Sequence, residues 1–354
     1  MSELASEPIN TAAQRTRPTS VSESPGVRRS DVRIDVPGGH TVATRIVLPD
    51  PLPADGPVAV LCCVPGGGTT GAYFDLVVPG NDGAGDDSYS FAAFAARRGF
   101  AVVTVDNLGT GGSGRPDVMR LLPATVAEAN SVAFAAAVAG LRAGGHPPVT
   151  IGVGHSMGGM LTILAQAADR AHAAIAPLGF TTSGLPEILA PRERLLVGAP
   201  GRFTDELADV AAERAARPRV EVLREAPDFR FPFHLDDSPA PALRALAAVT
   251  TNLLPAPGLL SMLPGNVAEA AARIRVPVFL GVGDHEHWHE AAELAAQYPA
   301  SPDVTVYVLR RAAHNHTVAP TRLELYRRLT HWAEGVAEAA ARATPAPNPP
   351  TTTA

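Results

Sequence analysis

The chain has 354 residues, of which 46% are hydrophobic, and a formal net charge of −6. It contains no lysine, which excludes Schiff-base catalysis, Walker-type phosphate loops and serine–lysine dyads. No apolar run reaches the ~18 residues of a membrane span and the arginines form no basic stripe, so neither a membrane nor a nucleic acid is expected as a partner.

The two ends of the chain are predicted to be disordered tails. Residues 1–30 are rich in Ser, Thr, Pro and Glu and lack the apolar core of a signal peptide, while residues 343–354 are rich in proline and threonine. Cys62 and Cys63 are adjacent within one apolar run, which predicts buried side chains on opposite faces of a strand and no disulfide framework. These features favour a cytoplasmic protein.

Between the tails, short β-rich runs alternate with helical patterns. Residues 31–36 and 41–47 resemble an antiparallel pair joined at Pro37-Gly38-Gly39. Further strands are predicted at 58–64, 101–105, 149–153, 173–178, 276–282 and 304–309, and helices at 91–98, 126–142, 157–168 and 322–341. Continuous apolar strands that alternate with helices indicate an α/β fold, a mostly parallel eight-stranded sheet with helices on both faces.

One long segment interrupts this alternation. Residues 182–272 contain helical and proline-rich pieces but no clear strand. An insertion of this size between two strands of a sheet is typical of a cap that lies over a binding site. The sequence therefore predicts a core formed by residues 31–181 and 273–342, with a helical cap inserted between the two parts.

A strand-to-helix turn carries a candidate nucleophile. The pentad Gly154-His155-Ser156-Met157-Gly158 follows the apolar run 149–153 and precedes a helix of small residues. Such a turn exposes a serine hydroxyl above the sheet and directs helix amides towards it. Taken alone, the pattern fits a tight turn without chemistry equally well, so its surroundings must decide.

A reactive serine needs a base, and the base needs an orienting acid. Asp284 follows the strand predicted at 276–282, and His314 follows the strand predicted at 304–309, with His316 as a second candidate for the base. Each candidate thus lies where parallel strands end, which is where such sheets bind ligands. For Asp284 the alternative is an ordinary turn residue.

The order Ser, Asp, His, each after its own strand, resembles the α/β-hydrolase fold. Two further stretches are similar to that family: the strand at 101–105 with the aspartate and glycines that follow it, and the loop Pro65-Gly66-Gly67-Gly68, where proline replaces the usual histidine. The resemblance implies that Ser156, Asp284 and His314 form a catalytic triad. It also implies an oxyanion hole formed by the amide of Met157 and that of Gly67 or Gly68.

The resemblance implies a serine hydrolase that needs no cofactor and acts through an acyl-enzyme. The apolar, weakly charged stretch 259–263 of the predicted cap favours a small hydrophobic carboxylic ester or lactone as the substrate. The chain is also similar to hydrolases that open large aromatic lactones, the zearalenone lactonases. Cleavage of thioesters, amides or carbon–carbon bonds by the same triad stays open, and so does a non-catalytic, ligand-binding role. A homodimer also stays open. Candidates for the substrate pocket are Tyr73, Trp288, Met262 and Leu263.

Two other motifs offer competing interpretations. Residues 66–71 and 109–114 both fit the dinucleotide pattern G-x-G-x-x-G, but neither is followed by the helix, strand and acidic residue that such a site needs. His285, His287 and His289 alternate along one loop without the spacing of a standard zinc site, so no metal is expected.

Overall fold

A nine-stranded sheet forms the centre of the computed structural model, which describes residues 20–54, 56–80, 85–141, 148–198, 204–217, 232–286 and 291–343. The strands are β1 (Ser20–Ser24), β2 (Val27–Val36), β3 (His40–Pro49), β4 (Val60–Val64), β5 (Val78–Pro79), β6 (Gly85–Asp86), β7 (Ala101–Val105), β8 (Thr150–His155), β9 (Ala174–Leu178), β10 (Val278–Gly283) and β11 (Val304–Leu309). Their order in the sheet is β1-β2-β3-β7-β4-β8-β9-β10-β11, while β5 and β6 pair separately. All neighbours from β7 to β11 are parallel, and the three N-terminal strands are antiparallel. The predicted fold class, a mostly parallel sheet covered by helices, is confirmed.

Helices cover both faces of the sheet, so the central strands are buried along nearly their whole length. The helices are α1 (Phe91–Ala96), α2 (Pro123–Ala139), α3 (Met157–Asp169), α4 (Pro191–Arg194), α5 (Thr204–Ala216), α6 (Ala240–Ala248), α7 (Pro255–Met262), α8 (Ala268–Ala272), α9 (Ala291–Ala296) and α10 (Arg322–Ala343). Cys62 belongs to the core cluster shared with α2 and α3, whereas Cys63 belongs to the cluster shared with α1 and α10. Both thiols are free and fully buried, as the alternation of side chains along a strand predicts.

The prediction of a disordered tail over residues 1–30 is wrong from Ser20 onwards. β1 pairs with the start of β2, and the Ser20 hydroxyl donates to Asp31 at 2.7 Å. Arg29 is buried and forms a salt bridge with Asp75 at 2.9 Å. The polar composition was misleading because an edge strand is held by backbone hydrogen bonds and needs few apolar side chains. This strand raises the sheet from the predicted eight strands to nine; residues 1–19 and 344–354 lie outside the described part of the chain.

The segment between β9 and β10 consists of short helices joined by irregular stretches where the structure describes it. It contributes α4 to α8, and α7 packs against α5 and also contacts α2 and α3. Three of its backbone groups reach the loop that follows β4: Val249 accepts from the Thr70 amide at 3.0 Å, Thr250 forms a β-bridge with Thr69, and the Thr251 amide donates to Gly68 at 2.9 Å. Across the described residues, no helix has both the length and the apolar character needed to cross a membrane.

Candidate active site

Ser156 occupies a strained backbone conformation between β8 and α3. Its φ of 55° and ψ of −125° lie in a region that residues with a side chain rarely adopt. The Ser156 amide donates to the Leu178 carbonyl at 2.7 Å, and the Ser156 carbonyl accepts from Gly159 at 2.8 Å. The turn is therefore fixed from both sides, and the serine lies at the carboxyl end of the sheet.

The two glycines of the pentad are there for steric reasons. A Cβ at Gly154 would overlap the carbonyl oxygen of Gly158, and a Cβ at Gly158 would overlap the carbonyl oxygen of Val64. Strand β8, strand β4 and the start of α3 therefore approach one another more closely than any side chain permits. This close approach is what raises Ser156 above the sheet.

His314 and Glu286 form a buried hydrogen-bonded pair close to this turn. The Nδ1 atom of His314 donates to Oε1 of Glu286 at 2.6 Å, and the side chains are only 9% and 6% exposed. Gly179, which directly follows the Leu178 carbonyl, packs against both groups, since a Cβ there would lie 2.9 Å from Glu286 Oε1 and 3.3 Å from His314 Nδ1. Because the carboxylate accepts from Nδ1, it fixes the tautomer and the orientation of the imidazole.

The geometry corrects the prediction that Asp284 orients His314. The Oδ1 atom of Asp284 is 2.7 Å from Nδ1 of the neighbouring His285 and accepts from the Ala312 amide at 3.1 Å. The carboxylate bonded to His314 belongs to Glu286, two residues further on. A turn after Gly283 brings Glu286 back to the strand end, where its Oε2 accepts from the Gly283 amide at 2.5 Å. Glu286 was not predicted, because Asp284 is the first carboxylate after the strand and the sequence does not show the path of the turn.

Further aromatic groups surround the pair. The Nε2 atom of His316 donates to Oε2 of Glu286 at 3.0 Å. His155 donates from Nε2 to the His314 carbonyl at 2.7 Å, and its ring stacks on Tyr73 with 4.5 Å between ring centroids. Glu286, His314 and His316 thus form one hydrogen-bonded group. His155 packs against both of its histidines, and Tyr73 stacks on His155.

Burial and hydrogen bonding act in opposite directions on these groups. Burial opposes ionisation of Glu286, but the electrostatic attraction of His316 and the hydrogen bonds from His314 and His316 hold the pKa of its carboxyl well below the usual range. Burial lowers the pKa of His155 well below its ordinary value, with the nearby His314 and His316 adding to the effect. Burial likewise raises the pKa of Tyr73 well above its ordinary value. An ionised glutamate therefore faces His314, while His155 is neutral at pH 7.

The glycine loop after β4 lies beside the first turn of α3. A Cβ at Gly67 would lie 3.7 Å from the Met157 Cβ, which makes the two residues neighbours. Gly68 is turned towards the inserted segment, with its carbonyl bound to Thr251. Asn107 donates to the Pro65 carbonyl at 3.3 Å and accepts from Asn130 at 2.8 Å, so two buried amides fix the base of this loop.

The aspartate after β7 has a structural role. Asp106 accepts from the Gly71 amide at 2.8 Å and from the Gly112 amide at 2.7 Å, one to each carboxylate oxygen. It therefore joins the glycine loop after β4 to the glycine-rich loop after β7. The glycines at 66–71 and 109–114 serve this close packing of loops.

The four predicted pocket residues lie in different places. Tyr73 is buried behind His155, and Leu263 is buried beside Met262 against the Gly184 backbone. Trp288 lies outside the described residues, as do His287 and His289. His285 is exposed beside Asp284, and the described part of the chain contains no group of three or more metal-ligating side chains.

Two apolar side chains of the inserted segment, in addition to the four predicted pocket residues, lie next to the site. Leu253 contacts the Gly67 position, and Phe233 packs edge-on against His314 with 6.0 Å between ring centroids. Each is 50% exposed. The sequence signal for Leu253 is weak, because this residue belongs to an irregular part of the insertion.

Comparisons with known proteins agree with this architecture. No curated protein matches the sequence. Among solved structures, a thermophilic esterase from Thermogutta terrifontis aligns over 86% of this chain and 98% of its own, with 14% identity and a TM-score of 0.57. A haloalkane dehalogenase from Bradyrhizobium elkanii aligns over 89% and 100%, with 15% identity and a TM-score of 0.58. An N-acyl homoserine lactonase aligns over 87% and 98%, with 15% identity and a TM-score of 0.51.

These identities are low, and such structural similarity shows the fold alone. A family model, described as the alpha/beta hydrolase family, matches residues 60–324. The match covers more than half of the chain, from β4 to the start of α10, and includes the serine turn, the glycine loop and the histidine loop. The protein is a hydrolase of the alpha/beta hydrolase family.

Proposed function

We propose that the protein is a serine hydrolase that cleaves a hydrophobic carboxylic ester or lactone through an acyl-enzyme. The observation that carries this proposal is the strained turn at Ser156, which lies at the same end of the sheet as the His314–Glu286 pair. A serine held in an unfavourable conformation, beside an imidazole oriented by a buried carboxylate, is the arrangement that nucleophilic acyl transfer requires.

In the proposed reaction the Ser156 Oγ attacks the carbonyl carbon while Nε2 of His314 takes the hydroxyl proton. Glu286 fixes the tautomer of His314 and stabilises the imidazolium that forms. The imidazolium then gives its proton to the leaving alkoxide, which departs as an alcohol, or stays attached through the acyl chain if the substrate is a lactone. Water, activated by the same imidazole, hydrolyses the acyl-enzyme to the carboxylic acid and regenerates the serine.

The amides of Met157 and Gly67 are the proposed oxyanion hole. Met157 is the first residue of α3, so its amide has no acceptor within the helix, and within the described residues neither amide is bonded to another protein group. The contact between Gly67 and Met157 favours Gly67 over Gly68, whose carbonyl is bound to the inserted segment. Each such donor contributes roughly 3 kcal/mol to the transition state in comparable enzymes.

The preference for a hydrophobic substrate rests on Phe233 and Leu253. One lies beside the proposed base and the other beside the proposed oxyanion amide, and half of each side chain is exposed. Backbone hydrogen bonds join both segments to the site. The His314 and Asn315 amides donate to residues 232–233 at 2.9 and 2.8 Å, and the Thr251 amide donates to the Gly68 carbonyl at 2.9 Å. Residues 182–272 are accordingly proposed to act as the cap, with these two side chains facing the acyl or alkoxy group.

Labelling with a fluorophosphonate tests the nucleophile. The wild type and a Ser301→Ala control should be labelled, since Ser301 lies before β11 at the opposite end of the sheet. Ser156→Ala should not be labelled and should not turn over substrate. Equal labelling of Ser156→Ala and wild type would refute the proposal.

A substrate panel tests the bond that is cleaved. The panel comprises esters, lactones, thioesters and amides, each with short and with long acyl chains that are matched between the classes, together with a large aromatic lactone. Faster turnover of esters or lactones with long apolar acyl chains would support the assignment. Turnover confined to thioesters or amides would move the protein to another class of serine hydrolase with the same catalytic residues.

A further inference from the structure

A second buried histidine contacts the acid without a part in the proposed reaction. Oε1 of Glu286 accepts from His314, while Oε2 accepts from Nε2 of His316 at 3.0 Å and from the Gly283 amide at 2.5 Å. The side chain of His316 is only 3% exposed. The carboxylate is therefore held at both oxygens, and only one of them faces the proposed base.

His316 is itself held rigidly in place. It begins a single 3-10 turn, His316–Val318, and its amide donates to the His314 carbonyl at 3.0 Å. The next residue, Thr317, is anchored through its hydroxyl to the Tyr326 hydroxyl at 2.7 Å and to the Tyr89 carbonyl at 3.1 Å. The imidazole of His316 also packs edge-on against His155, with 5.6 Å between ring centroids. Because the turn is fixed, Nε2 of His316 fixes the position of the Glu286 Oε2 atom that accepts from it.

The ring atoms that His314 and His316 use show that their roles differ. His314 binds the carboxylate through Nδ1, and in the proposed reaction its Nε2 takes the serine proton. His316 binds the carboxylate through Nε2, and its Nδ1 is buried without a hydrogen-bond partner among the described residues. Nε2 of His316 is thus committed to Glu286, and the ring cannot act as the base without breaking that bond.

We infer that His316 is a positioning residue that holds the second oxygen of Glu286, so that the first stays directed at Nδ1 of His314. The terminal torsion of a glutamate has broad minima, so a carboxylate bound at one oxygen can still rotate. Nε2 of His316 and the Gly283 amide both donate to the other oxygen, and together they restrict that rotation. This inference rests on the proposed function, because it assigns His316 a part in orienting the proposed base.

Two substitutions separate the hydrogen bond from the packing of the ring. His316→Gln retains an N–H donor near the position of Nε2 but loses the ring, whereas His316→Phe retains a ring of similar size but loses the donor. We expect kcat to fall about 10- to 100-fold in His316→Phe with KM little changed, because the lost bond has a charged acceptor. In His316→Gln we expect kcat close to that of the wild type.

The measurements are kcat and KM per fluorophosphonate-titrated site, with the thermal midpoint of each variant as the folding control. Wild-type kcat in His316→Phe, or an equal loss in both variants, would overturn the inference. If His316→Phe does not fold, His316→Met provides the same comparison with a flexible apolar side chain. An active Ser156→Ala enzyme would refute the proposed function itself, whereas an inactive Ser156→Ala with fully active His316→Phe refutes only the role of His316.

Discussion

The identity of the acid can be tested by comparing Glu286→Gln with Asp284→Asn. Both changes remove one carboxylate charge on the same short turn, but only Glu286 is bonded to His314. The first substitution should impair turnover severely. The second should leave turnover close to that of the wild type, because Asp284 contacts the exposed side chains of His285 and Arg310 and the backbone of the histidine loop.

The size of the effect follows from the 2.6 Å hydrogen bond between His314 and Glu286. When the serine proton moves to His314, an imidazolium forms against the carboxylate, and two unit charges ~4 Å apart at an effective dielectric of about 20 attract each other by about 4 kcal/mol. Each 1.36 kcal/mol of lost transition-state stabilisation costs about a factor of ten. We therefore expect kcat of Glu286→Gln to fall by about 10²- to 10⁴-fold, a range that reaches the loss known for the asparagine variant of a Ser-His-Asp triad.

The assay is kcat and KM on an activated ester, with the thermal midpoint of each variant as the control for folding. Breaking a buried ion pair can itself destabilise a protein by about 3–5 kcal/mol, so activity must be measured well below the midpoint. Severe loss in Asp284→Asn with a mild effect in Glu286→Gln would refute the assignment of Glu286. It would show that the turn after β10 rearranges when substrate binds.

Three further substitutions test the scaffold. Gly158→Ala should abolish labelling of the serine and destabilise the fold by about 1–3 kcal/mol in urea titration, because its Cβ would overlap a backbone carbonyl at the end of β4. The control Gly335→Ala lies in open space within α10 and should instead stabilise the fold by about 0.5–1 kcal/mol. Equal changes in stability in the two variants would contradict the steric argument. Burial lowers the pKa of His172 to about 4, so the unfolded chain binds the proton first and stability should fall as the pH drops from about 6.5 to 4. His172→Asn should remove up to about 3 kcal/mol of that decline, and an unchanged pH profile in this variant would contradict the reasoning. Asn130→Ala should lower the free energy of unfolding by about 1–3 kcal/mol, because it leaves a buried amide oxygen beside the glycine loop without its donor, and a loss near zero would show that the bond is replaced.

Much of the fold could be predicted from the sequence, because the patterns that indicate its strands and helices are local. The continuous apolar runs of the central strands, and the helical patterns between them, predicted a mostly parallel covered sheet, which the structure confirms. Ser156 was likewise accessible, because the glycines on either side of it are required by contacts within the turn and the adjoining strand. The strand at Ser20–Ser24 was missed, since its stability comes from pairing with β2 rather than from its own composition.

The sequence by itself determined the order of the strands along the chain, the strand-to-helix turn at Ser156 and the histidine loop after the last strand. Only the tertiary structure decided which carboxylate meets His314. Asp284 and Glu286 are two residues apart in the same turn, and the path of that turn, together with the donors from Gly283 and His316, brings Glu286 to the imidazole. Side-chain reach and loop path depend on contacts between distant segments, and no pattern along the chain records them.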